Sequence, residues 1–89
     1  MENSVPQSEK MILCVEDDRD TCELLGILLA DWKTDFAHRL NDARVMLETA
    51  RFDLYILDNW LPDGSGIDLC RQIRETDESV PIIFTSAVG

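Results

Sequence analysis

Basic residues are scarce in this chain: eight lysines and arginines stand against eighteen acids, for a net charge of −10. That balance excludes the usual route to nucleic acid, where contacts between cations and phosphates supply most of the affinity. It sets the surface against anionic lipid as well. No apolar run approaches the ~20 residues of a membrane span, and the opening MENSVPQSEK lacks the apolar core of a signal peptide. Cysteine is limited to Cys14, Cys22 and Cys70, an odd number with no CxxC spacing and no histidine near any of them in sequence. Each falls inside an apolar pattern, so they read as buried free thiols of a reducing compartment, and a cytoplasmic location is expected. Length is limited too: 89 residues suggest a single domain, and a chain so short buries only about 60–65% of the surface its unfolded form exposes. What is present, 45% hydrophobic and 29% charged residues, is a globular composition.

Residues 1–9 are polar, contain Pro6 and read as a mobile tail, with the domain occupying 10–89. MILCV (11–15) is an unbroken apolar run, as expected of a strand covered on both faces. Asp18 or Asp20 can cap the helix that follows, over roughly 18–32, with Cys22, Leu25, Leu28, Leu29 and Trp32 as its buried stripe. TDFAH (34–38) reads as a weak strand, and Asn41 as the cap of a second helix over roughly 42–51. DLYIL (53–57) is a second buried strand, DNWLPDGSG a loop, 65–77 a third helix, and VPIIF (80–84) the fourth strand of the series. Strands alternating with helices on short links predict a parallel sheet with helices on both faces.

A parallel sheet gathers the C-terminal ends of its strands on one edge, where ligands bind. Glu16 and Asp17 follow the first strand, Asp58 follows the third and Ser86 the fourth. If those strands are neighbours, the four side chains meet. Three carboxylates at close range hold either a proton or a cation. An all-oxygen set suits Mg²⁺, and the lack of histidine and thiolate in it argues against zinc. A carboxylate beside such an ion can attack phosphorus in line and become an aspartyl phosphate.

Three segments carry a family likeness. MILCVEDDRDTCELL resembles the first strand and acid pair of a response-regulator receiver domain. YILDNWLPDGSGIDLCRQIR resembles that family's phosphoacceptor strand, loop and helix, with proline four and glycine eight positions after the aspartate, here Asp58, Pro62 and Gly66. VPIIFTSA resembles the fourth strand and its switch hydroxyl, which falls on Ser86. The likeness runs from about residue 10 to the last. It implies a flavodoxin-like doubly wound sheet in the strand order 2-1-3-4. It also implies Asp58 as phosphoacceptor, Asp17 as direct metal ligand, the Trp60 backbone carbonyl as a further ligand and Glu16 as an acid reaching Mg²⁺ through water. The implied partner is a histidine kinase or phosphotransfer protein, and the implied role is signalling rather than enzymatic turnover.

The family's fifth strand, with its phosphate-pairing lysine, and its last helix have no counterpart here; Lys10 and Lys33 fall in the wrong places. The fourth strand is then a free edge and the Leu25–Leu28–Trp32 stripe is partly uncovered. A homodimer or other self-association through that strand and the first helix is expected, or else the chain is part of a longer protein. A receiver fold kept only for dimerisation, independent of phosphorylation, is the alternative function. An aspartate-based phosphohydrolase is disfavoured because Trp60 stands where that chemistry places its general acid. His38 reads as a surface residue away from the acids.

Overall fold

The computed structural model describes residues 10–85. The expectations for the tail at 1–9 and for Ser86 lie outside them. The order of elements is β1 (Met11–Val15), α1 (Arg19–Leu28), β2 (Lys33–Ala37), α2 (Leu40–Thr49), β3 (Leu54–Leu57), a short hairpin of β4 (Trp60–Leu61) and β5 (Gly64–Ser65), α3 (Gly66–Thr76) and β6 (Ile82–Phe84). The main sheet runs β2-β1-β3-β6 with every pair parallel. β6 is the fourth long strand of the sequence pattern, so the order is the 2-1-3-4 expected.

Alternation along the strands divides the core. Leu13, Val15, Tyr55 and Leu57 face α2 and α3, joined by Ala43, Leu69 and Ile73 from those helices. Ile12, Cys14 and Ile56 face the other way, against Leu25 and Leu29 of the α1 segment and Phe36. Cys14 and Cys22 are buried and Cys70 half-buried, all as free thiols. Burial pushes the Cys14 thiol up to about 12, which leaves it protonated and inert.

Two helix starts differ in how they are capped. Asp18 caps α1, its side chain accepting from the Thr21 N–H at 3.2 Å. α2 starts at Leu40, ahead of Asn41, so Asn41 is not its cap, and the flanking Arg39 makes no side-chain cap bond. The cap comes from another part of the chain. Asp63, in the β4–β5 turn, accepts from the Leu40 N–H at 2.7 Å and the Asn41 N–H at 2.9 Å. A carboxylate there also complements the positive end of the helix. α1 is shorter than the periodicity suggested, ending at Leu28, with Leu29 as its cap.

β6 is the edge on one side of the sheet, and Ile83 and Phe84 on it are 51% and 40% exposed. Leu24, Ile27 and Leu28 of α1 are also exposed. Leu25 packs inward while Leu28 and, to a lesser extent, Trp32 stay open to solvent, the partly uncovered stripe that the sequence implied. Among the described residues no helix is long and apolar enough to cross a membrane.

The Asp63 cap carries a pH signature. The Asn41 N–H above all, with the Leu40 N–H, holds the Asp63 carboxyl below its ordinary value. A depressed folded value stabilises the fold above the unfolded pKa, and that contribution is lost as pH falls through the folded value. Asp63→Asn is expected to lower the melting temperature at pH 7. The gap to wild type should begin to close as pH drops below the ordinary aspartate value of 3.8 and be gone once pH has passed the lower folded value, where the wild-type carboxylate is itself lost; thermal denaturation followed by circular dichroism across pH checks it.

Candidate functional site

The sheet ladder continues one residue past the strands. The Glu16 N–H donates to the Ala37 carbonyl at 2.9 Å, and the Asp58 N–H donates to the Val15 carbonyl at 2.8 Å. Both acids are therefore fixed to the sheet by their main chains. Glu16 and Asp58 are buried and Asp17 is exposed. One carboxylate oxygen from each of the three lies within 4.8 Å of the others. The convergence expected of Glu16, Asp17 and Asp58 is present.

Each buried acid is partly satisfied. Glu16 Oε2 accepts from the Asp18 N–H at 3.2 Å, and its Oε1 accepts from the Thr85 hydroxyl at 3.3 Å. Thr85 continues β6, its N–H donating to the Leu57 carbonyl at 2.9 Å. Asp58 Oδ1 accepts from the Trp60 N–H at 3.1 Å. These bonds do not cancel the crowding. Burial pushes the Glu16 carboxyl up, the Asp58 carboxyl adds to the rise, and the Asp18 N–H opposes it. Three converging carboxylates are a set that could hold a divalent cation. The donors are all oxygens, which fits Mg²⁺.

The loop after Asp58 is built around two glycines and a hairpin. A Cβ at Gly66 would overlap the Asp58 carbonyl oxygen, which is main chain and cannot swing aside. Gly64 has φ +155°, and a Cβ there would stand 2.5 Å from Leu40 Cδ2. Ser65 hydroxyl donates to Asn59 Oδ1 at 2.6 Å and accepts from the Ile67 N–H at 3.1 Å, which caps α3. The Gly66 N–H donates to the Asn59 carbonyl at 3.2 Å, which makes the opposed Trp60 and Ser65 a non-hydrogen-bonded pair of the hairpin. The hairpin ladder therefore makes no claim on the Trp60 carbonyl. The Trp60 side chain is 63% exposed at the site's rim.

Three contributors were not visible in the sequence. Thr85 and Asp63 gave no signal before their neighbours were known. His38 corrects an expectation: it is half-buried, not a detached surface residue, and its Nδ1 lies 2.9 Å from the Glu16 carbonyl oxygen. Cys22 Sγ is 3.8 Å from the same nitrogen. Chain separation hid both neighbours, because β2 ends beside the tip of β1.

Comparison with known proteins agrees with this geometry. The family profile described as response regulator receiver domain matches residues 12–89. The chain is 38% identical over 84 residues to the response regulator protein PilR of Pseudomonas aeruginosa, covering 92% of this chain and 19% of that protein. The non-phosphorylated HemR receiver domain of Leptospira biflexa superposes with a TM-score of 0.78 at 33% identity, over 85% of this chain and 63% of that one. The beryllofluoride-activated NtrC4 receiver domain dimer superposes with a TM-score of 0.76 at 26% identity, over 83% of this chain and 63% of that one.

A carboxyl whose folded value is raised destabilises the fold as it ionises. Metal-free stability should accordingly fall as pH climbs from the ordinary glutamate value of 4.5 through the raised one. Glu16→Gln removes the ionisation. In EDTA the variant is expected to match or fall below wild type at pH 4 and to melt above it at pH 8, and adding Mg²⁺ should raise the wild type more than the variant. Melting curves at the two pH values, with and without the ion, check this.

Proposed function

The chain belongs to the response regulator receiver family, and on that footing we propose that Asp58 accepts a phosphoryl group from the phosphohistidine of a histidine kinase or phosphotransfer protein. Members of this family are signalling modules rather than enzymes; the PilR relative is a response regulator protein and the HemR match is a receiver domain. The observation that carries the reading is the meeting of Asp58 with Glu16 and Asp17 at one strand edge, all within 4.8 Å.

In the proposed transfer a carboxylate oxygen of Asp58 forms a bond to phosphorus while the bond from phosphorus to the donor's imidazole nitrogen breaks. The electron pair leaves with the imidazole, which takes up a proton. Asp17, Asp58 and the Trp60 carbonyl would hold Mg²⁺ directly, with Glu16 reaching it through water. When bound, the ion supplies positive charge to the phosphoryl oxygens and offsets the repulsion among the acids. The ladder bond from the Asp58 N–H to Val15 keeps the nucleophile on its strand tip. Ser86 is assigned the hydroxyl that bonds the phosphoryl group. Lys10 and Lys33 meet at the strand starts, where the Lys33 N–H donates to the Lys10 carbonyl at 3.2 Å, so both sit on the edge opposite the acids. Neither of them therefore stands in for the family's lysine.

Phosphorylation adds about −1.5 to −2 charges at a site already crowded with acid. That added charge biases the equilibrium between two arrangements of the surrounding loops and the β6 face. A cytoplasmic location follows from the free thiols and from the donor this reading requires. The chain spans 19% of PilR, so the output of any complete protein is likewise a matter of proposal.

A second reading draws on the exposed Ile83 and Phe84 of β6 and Leu24, Ile27 and Leu28 of α1. They support self-association through that edge, and a role as a dimerisation module independent of phosphorylation. NtrC4, solved as a beryllofluoride-activated dimer, shows that a receiver of this fold can pair, in that case in the activated state.

Beryllofluoride with Mg²⁺ should change the intrinsic fluorescence or the sedimentation of the wild type, and Asp58→Asn should abolish the change. Self-association that is identical in both proteins with and without beryllofluoride would favour the second reading. Trp60 at the rim is assigned a further role, hindering water in line with the phosphoryl group. Trp60→Ala should speed loss of the phosphoryl group by about three-fold or more, a drop of at least ~0.6 kcal/mol in barrier; an unchanged or slower rate in a phosphate-release assay refutes that role.

A further inference from the structure

In a parallel ladder a residue donates its N–H to one residue of the neighbouring strand and accepts at its carbonyl from the residue two places further along. The Glu16 N–H donates to the Ala37 carbonyl. The matching donor for the Glu16 carbonyl would be the N–H of Arg39. The chain leaves the ladder before that point, because β2 ends at Ala37 and Arg39 already flanks α2. A side chain fills the gap: His38 Nδ1 lies 2.9 Å from the Glu16 carbonyl oxygen. A carbonyl oxygen only accepts, so Nδ1 carries the proton and the ring donates. Cys22 Sγ makes a second, weaker donation to the same oxygen at 3.4 Å.

That oxygen belongs to the peptide joining Glu16 to Asp17. Rotation of this peptide would swing the Asp17 side chain relative to the Glu16 side chain, and with it the spacing of both from Asp58. We propose that His38 is the positioning residue of the acid pair, fixing the Glu16–Asp17 peptide so that both carboxylates present oxygens to one cation. The inference rests on the cation reading of the cluster. His38 stands outside the set of ligands; it acts on them through the main chain, as outer-sphere partners of metal ligands do. Its ring is half-buried and lines an open surface recess with Arg19, Cys22, Glu23 and Phe36, so an apolar replacement of similar size leaves no closed void in the core.

The test compares wild type, His38→Leu, which removes the donor, and His38→Asn, whose amide can donate from nearly the same place. Two readouts are taken: Mg²⁺ affinity by titration calorimetry, and the backbone amide resonance of Asp17 in metal-free protein. The leucine variant should bind Mg²⁺ about 10-fold more weakly, the low end of what loss of an outer-sphere partner costs, with the Asp17 resonance displaced. The asparagine variant should bring both back towards wild type. An unmoved Asp17 resonance with wild-type Mg²⁺ affinity in His38→Leu overturns the proposal, as does an asparagine variant no better than leucine. If no protein binds Mg²⁺ while the Asp17 resonance moves in leucine and returns in asparagine, the cation reading fails and the hold of His38 on the peptide stands.

Discussion

Two main-chain hydrogen bonds decide where the chemistry of this fold sits. The strands β1 and β3 end at Val15 and Leu57, yet the parallel ladder runs on through the Glu16 and Asp58 N–H groups to Ala37 and Val15. A side chain on a loop would be free to turn its carboxylate to solvent. These two are attached to a rigid sheet and cannot withdraw from each other, so their repulsion persists in the folded state. The Glu16 carboxyl is raised first by burial, and further by the Asp58 carboxyl that this confinement keeps beside it. In the proposed role, a small hard cation would act on the same constraint by relieving that enforced repulsion.

Much of the architecture was readable before any coordinates. Apolar runs at 11–15 and 53–57, with helical periodicity between them, leave little choice but a parallel sheet, and a parallel sheet places Glu16, Asp17 and Asp58 on one edge. Patterning captured these because burial is a property of each residue's own face. It failed where a residue's role depends on something distant in the chain. Asn41 looked like a cap by type and position, but Asp63 reaches the same N–H groups from the hairpin. His38 looked like an exposed polar residue because nothing in its neighbours says that the tip of β1 passes beside it. The hairpin in 60–65 was hidden for another reason: two strands of two residues each are too short to show an alternation at all.

The free thiols illustrate a milder form of the same lesson. Their apolar surroundings marked them as buried, and Cys14 and Cys22 are. Cys22 is also the neighbour of His38 at the Glu16 carbonyl. A residue can satisfy a packing pattern and still touch the polar machinery, because the end of a helix stripe lies over the end of a strand.

The interval from Asp58 to Gly66 behaves as a closed ring rather than a stretch of loop. Its two ends meet where the Asp58 carbonyl leaves no room for a Cβ on Gly66 and the Gly66 N–H reaches the Asn59 carbonyl. Its far side is moored to α2 by Asp63. A ring has a circumference. One residue more or fewer between Asp58 and that glycine would detach either the seam or the mooring, so the eight-residue separation is a length fixed by closure and not merely a signature to be matched.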